Sequence, residues 1–219
     1  MLKKIKLMWC LSWFCLVLPA MADGVVVNSA DARIWANDKG QELIQTLGMS
    51  DQISKFAKLD KMMLEDVNLD YISKFVIGKY ARLMNAEQKK KYTDLFKRYV
   101  LSLYKKTSFD FDASRIAFSI ESVSEYEKFT NVFCLVDPGN ISQDIKIQKI
   151  PVKFKLIRGK DNRIQAVDLE ISEVSMVIEY RKRFYQMIQS DDGHIDLFLE
   201  QFEDQVRANE EAIYQKAAL

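Results

Sequence analysis

The hydrophobic period changes twice along the chain, and each change marks a change of element type. From Asn28 to about Thr107 the apolar residues recur at helical spacing. Ile53, Phe56, Ala57, Leu64 and Val67 predict one buried helical face, and Tyr71, Ile72, Phe75, Val76 and Tyr80 predict another. The clearest helix start is Asn85-Ala86-Glu87-Gln88, a capping box in which the Asn side chain and the Gln three positions on take up free backbone N–H groups. Tyr92, Leu95, Phe96, Tyr99, Val100, Leu103 and Tyr104 then follow at i, i+3, i+4. The three tyrosines on this core-facing stripe have two readings: hydroxyls that reach polar partners at the edge of the core, or the lining of a cavity.

From Ser114 to about Ser172 the period is two. Ile116, Phe118 and Ile120 alternate with small or polar residues, as do Val152, Phe154 and Leu156, and Val167, Leu169 and Ile171. Val132-Phe133-Cys134-Leu135-Val136 is apolar on both faces, the pattern of a central strand covered on two sides. Asp137-Pro138-Gly139-Asn140 suits a type II turn, and Gly159-Lys160-Asp161-Asn162 a hairpin connection. Two further helices follow, the last carrying Ile195, Phe198, Leu199, Phe202 and Val206. Helices, then four mostly antiparallel strands, then helices is an α+β architecture.

The stretch Met176 to Ile188 carries more apolar surface than one neighbouring layer can cover. At about 100° per residue, Met176, Val177, Ile178, Tyr180, Phe184, Tyr185, Met187 and Ile188, with Val174 before them, fill an arc of roughly 200°. Val174, Ile178 and Tyr185 predict a side packed on the sheet. Met176, Tyr180, Phe184 and Met187 then face a second apolar space, or neighbouring helices with no cavity between. Arg181 alone among the charged residues falls inside the arc, and a buried unpaired guanidinium is prohibitively expensive.

Residues 1 to 22 place Lys3, Lys4 and Lys6 before an apolar run from Leu7 to Leu18 and end in Ala20-Met21-Ala22. That is the pattern of a cleaved secretory signal peptide, too short to span a membrane. It leaves residues 23–219 as a single exported domain. Without the leader's three lysines the chain has 29 basic residues against 31 acidic ones, about −2, which makes nucleic acid a poor partner. Only Cys134 remains, so an internal disulfide is excluded and stability rests on the core.

The chemistry-bearing motifs are sparse. A Gly-x-Ser-x-Gly elbow, a Cys-x-x-Cys pair, a His-Glu-x-x-His helix and a phosphate-binding glycine loop are all missing. The single histidine, His194, follows Asp191-Asp192-Gly193 at a helix start and reads as a solvated surface residue. One His and one Cys far apart in sequence make a zinc site improbable, and no metal or cofactor is expected. The lysine and arginine clusters at 89–91, 97–98 and 105–106 read as a solvated face, with docking of anionic groups as the alternative.

Two segments carry a resemblance. Leu69 to Tyr80, reading LDYISKFVIGKY, followed by Ala86-Glu87-Gln88 and Phe96, resembles the MlaC family of periplasmic phospholipid-binding proteins, also called toluene-tolerance proteins. Asp168-Leu169-Glu170-Ile171, Val174-Ser175-Met176-Val177, Tyr180-Arg181 and Phe184 resemble that family's second signature. The chain departs from the family pattern at Ala81, where a Trp is usual, and at Ser172-Glu173, where Glu-Gly is usual. The Gly-Trp common before the last strand is also missing around Asn162-Arg163.

The resemblance implies an α+β fold, MlaC-like with an NTF2-like outline, whose helices and sheet enclose an apolar cavity for a glycerophospholipid. It further implies a monomeric, non-enzymatic shuttle between an inner-membrane ABC transporter complex and an outer-membrane lipoprotein–porin complex, maintaining outer-membrane lipid asymmetry. Joined to the apolar faces above, it nominates as lining Val76, Tyr80, Phe96, Tyr99, Val100, Leu103 and Tyr104 from the first half. Phe118, Phe133 and Phe154 come from the strands, and Met176, Val177, Tyr180, Phe184 and Met187 from the following helix. Arg181 would meet a lipid phosphate at the pocket mouth or form a structural pair with Asp70 or Asp168. Two other classes stay open: a cavity enzyme of NTF2-like shape, and a holdase chaperone or interaction protein.

Overall fold

The computed structural model describes residues 25–108, 113–138, 148–159 and 161–217. The signal-peptide segment, the Gly139-Asn140 half of one expected turn and Lys160 of the other lie outside them. Helices α1 (Ser29–Leu47), α2 (Gln52–Asp66), α3 (Leu69–Ile77) and α4 (Ala86–Ser108) come first, with a 3-10 turn at Gly78–Leu83. Strands β1 (Ala117–Glu125), β2 (Thr130–Asp137), β3 (Ile150–Arg158), β4 (Ile164–Ile171) and β5 (Val174–Ser175) follow, then helices α5 (Met176–Ser190) and α6 (Ile195–Ala217).

Short polar side chains start the helices by taking up N–H groups that have no partner in the first turn. Asn28 accepts from the Asp31 N–H, Asp51 from Ser54 and Asn68 from Tyr71. At α4 the bonds are reciprocal, Gln88 N–H to Asn85 Oδ1 at 2.8 Å and Asn85 N–H to Gln88 Oε1 at 2.9 Å, as the capping box predicts.

The strands lie in sequence order, each antiparallel to the next. The fifth strand is an addition to the four expected. Ser172 and Glu173 both take positive φ, at 48° and 68°, and turn the chain so that Ile171 pairs with Val174. Two adjacent central residues with positive φ make a tight hairpin, the geometry usually met by Asn-Gly or Gly-Gly, which is why Val174 belongs to a strand and not to the following helix.

Two apolar cores result. In the first, α1 lies on one sheet face through Ala32 and Ala36 and covers Val132, Cys134, Leu156 and Ala166. The opposite face of β2 presents Phe133, half-buried, with the Lys153 ammonium 5.6 Å above its ring. In the second core, α3, α4, α5 and α6 bury Val76, Tyr92, Phe96, Tyr99, Phe184, Phe198 and Phe202 against one another. The two meet where Val67 bridges Ala166 and the Gln165 side chain donates to the Glu65 carbonyl at 3.0 Å.

Two expected faces are corrected. On α2, Ile53 is 82 % and Leu64 50 % exposed, while Lys55 and Leu59 are buried. The helix is rotated because Asp60 meets the Tyr104 hydroxyl at 2.8 Å and Asp66 meets Lys39 at 2.9 Å, and these polar anchors outweigh a few exposed methyl groups. Of the side of α5 expected on the sheet, Val174 is itself part of the sheet as β5 and 44 % exposed, and Ile178 is 41 % exposed. Tyr185 instead meets Tyr80, in the 3-10 turn after α3, edge to face with ring centroids 4.8 Å apart.

Candidate functional site

The nominated lining residues divide between the two cores. Val76, Tyr80, Phe96, Tyr99, Val177 and Phe184 are buried in the helical core, and Val100, Leu103, Tyr180 and Met187 pack half-buried around it. Phe118 and Phe154 belong to the margin of the sheet core. Phe133, Tyr104 and Met176 are half-buried and join neither.

The centre of the helical core is filled. Phe184 lies 4.8 Å from Phe202, 5.9 Å from Phe198, 6.1 Å from Phe96 and 6.0 Å from Tyr99, mostly edge to face or tilted. Such pairs add about 0.5–1.5 kcal/mol beyond their area burial. Open grooves of about 470 and 450 Å³ lie instead along α1. The first is lined in part by Ile44, Met49 and Lys55, the second by Ile34, Phe118 and Ile120.

The tyrosine hydroxyls of α4 all find polar partners. Tyr92 donates to the Ser73 carbonyl at 3.0 Å, Tyr99 accepts from Arg183 Nη1 at 2.9 Å and Tyr104 donates to Asp60 at 2.8 Å. Burial pushes the Tyr92 phenol well above its ordinary range, and burial with the Asp60 carboxylate does the same for Tyr104. The Tyr180 phenol, pushed up to about 12 by burial and then by Tyr99, lies edge to face with Tyr99 at 6.0 Å.

Arg181 is half-buried and its expected carboxylates are engaged elsewhere. Asp70 pairs with Lys97 at 2.9 Å. Asp168 accepts from the Ser175 hydroxyl at 2.8 Å and the Val177 N–H at 3.3 Å, fixing the start of α5, with Lys155 3.7 Å away. The Arg181 guanidinium stacks 4.9 Å from the Phe75 ring centroid and donates to the Tyr185 hydroxyl at 3.0 Å. Tyr185 also accepts from the Lys79 N–H at 3.2 Å. This junction needs Gly78 and joins the two signature segments. It is an aromatic solution to the burial problem, which spacing alone does not reveal because it treats Phe75 and Tyr185 as apolar positions.

The basic clusters of α4 are largely braced by acids. Lys90 meets Asp94, Lys91 meets Glu203, Lys105 meets Asp60, and Arg98 forks onto Glu210 through 2.9 and 2.6 Å bonds. Cys134 is buried in β2, and burial pushes its thiol up to about 11. His194 is exposed before α6. Among the described residues, no three His, Cys, Asp or Glu side chains gather as metal ligands, and no helix is long and apolar enough to cross a membrane.

Arg183 is the residue that sequence reasoning missed. It falls outside the apolar arc of α5, yet it reaches the hydroxyl of Tyr99, 84 positions earlier, at the margin of the aromatic core.

Comparison with known proteins places these features. A search of curated proteins finds no match. Among solved structures, a phospholipid-binding protein from Ralstonia solanacearum, solved in complex with a phospholipid, is similar with a TM-score of 0.65 and 12 % identity. The match covers 84 % of this chain and 99 % of that one, and shows a shared fold. The model of the MlaC protein family matches residues 38–204. Those residues span both signature segments, α2 to α5 and the whole sheet, so the chain belongs to the MlaC family.

Proposed function

We propose that the protein is a periplasmic carrier that takes up a glycerophospholipid and passes it between membrane complexes without making or breaking a bond. Membership of the MlaC family over residues 38–204 carries this reading. Its endpoints would be an inner-membrane ABC transporter complex and an outer-membrane lipoprotein–porin complex, as is usual for that family. The physical need is plain. At about 0.8 kcal/mol per buried methylene, bringing two acyl chains into water costs on the order of 20 kcal/mol. An apolar site offers the tails nearly what a bilayer offers, so exchange is close to isoenergetic and partners set its direction.

In this reading the filled centre at Phe96, Tyr99 and Phe184 is the rigid floor of the site. The half-buried Val100, Leu103, Tyr180 and Met187 form the part that yields to acyl chains, helped by the flexible thioether of methionine. The direct test is transfer of a fluorescent phosphatidylethanolamine from donor to acceptor vesicles. A rate that rises with protein concentration, at equal vesicle concentration, supports a carrier; a rate unchanged by the protein rejects it.

A further inference from the structure

On the surface of the helical core several arginines and lysines are paired with acids, and Arg183 is among those that are not. Lys91, Lys97, Arg98 and Lys105 each meet a carboxylate within 3.1 Å. Among the described residues no carboxylate lies within ion-pair distance of Arg183, which is exposed. One Nη1 hydrogen is given to the Tyr99 hydroxyl, with the guanidinium 5.8 Å from that ring's centroid. A guanidinium has five N–H donors, so most of its fork is uncommitted.

Its surroundings make it more than a solvated cation. Tyr99 is wholly buried, and Tyr180 beside it is half-buried with a hydroxyl that makes no hydrogen bond among the described residues. Val100 and Leu103 of α4 and Met187 of α5, on the same two helices, are half-buried at the margin of the helical core. A free planar fork, an uncommitted hydroxyl and a partly open apolar rim therefore occur together where α4 and α5 meet. A phosphate oxygen pair matches the fork, and a hydroxyl donor suits a third oxygen. Arg181 differs, because its charge is already stacked on Phe75 and its guanidinium bonded to Tyr185.

We propose that Arg183, with the Tyr180 hydroxyl, binds the phosphate oxyanion of the carried lipid at the rim of the helical core. This rests on the carrier reading and adds to it which end of the lipid is recognised, and by what. An exposed site of this kind adds modest affinity and still permits release, as a carrier requires.

Titration calorimetry on the protein lacking residues 1 to 22 tests it with two probes of equal tail length, dihexanoyl phosphatidylglycerol and dihexanoylglycerol. The protein should prefer the phosphate-bearing probe by about tenfold or more. Arg183→Gln should abolish that preference and leave dihexanoylglycerol binding as it was; Tyr180→Phe should reduce the preference several-fold, and Arg181→Gln should keep it. Inorganic phosphate alone separates the sources: absence of binding assigns the oxyanion to the lipid, whereas binding that Arg183→Gln removes assigns the same site to free phosphate. Equal affinity for the two probes, or a preference that survives Arg183→Gln, overturns the site and leaves the carrier reading standing. Failure of both probes to bind overturns both. Arg183→Lys guards against a folding artefact, since it keeps charge without the fork and should restore part of the preference.

Discussion

At Gly78 the backbone takes a φ of 48°, and a Cβ added there would lie 2.3 Å from the Tyr185 hydroxyl and 2.9 Å from Arg181 Nη2. Glycine is required twice over, by the dihedral and by the space. Gly78→Ala should therefore destabilise the protein by about 2 kcal/mol or more, read from urea midpoints, and an effect below about half of that would refute the junction. Tyr180 gives a pH prediction. Burial favours its neutral form and raises the folded-state value to about 12, above the ordinary 10.0. Its contribution to stability is thus fully present below about pH 10 and is lost as pH rises toward 12. Titration of phenolate absorbance should show a late-ionising tyrosine that Tyr180→Phe removes. The capping box was legible from spacing because it depends on near neighbours, whereas for the α4 tyrosines spacing left polar partners and a cavity lining as two readings. The Arg181 stack and the Arg183–Tyr99 bond were not legible, because each depends on how distant helices meet.

Elements were legible wherever the periodic signal and local chemistry agreed. The start of α4 and the alternation of β1 and β3 are of that kind. They failed in two instructive places. The period of α2 marks Ile53 and Leu64 as core, but hydrophobicity does not fix rotation about the helix axis when Asp60 and Asp66 have partners on the other side. The β4–β5 hairpin was hidden because Ser172-Glu173 lacks the glycine that would announce it. Glu173 holds a φ of 68°, a conformation costing L-residues roughly 1–2 kcal/mol. Glu173→Gly, which restores the residue usual in the family, should raise stability by about 0.5–1 kcal/mol after the added chain entropy of glycine. An unchanged or lowered melting midpoint would contradict that account of the turn.

The whole molecule is two cores joined along one strand edge, one made by α1 on the sheet and one by four helices. The α+β class and the family were readable from sequence because the signature residues cluster where α3 meets α5 and where Asp168 starts α5. An enclosed space was not, since periodicity cannot distinguish rings that pack on one another from rings that pack on a guest. Phe184 and its neighbours are packed against each other, so in the proposed carrier the acyl chains displace the half-buried margin. The measurement that bears most directly on the proposed lipid carriage is native mass spectrometry of the protein expressed from the full sequence, purified from a bacterial periplasm without detergent, followed by extraction of whatever remains bound. The account predicts a mass increment matching bound phospholipid; a well-folded protein that carries none, and acquires none from phospholipid vesicles, would contradict it.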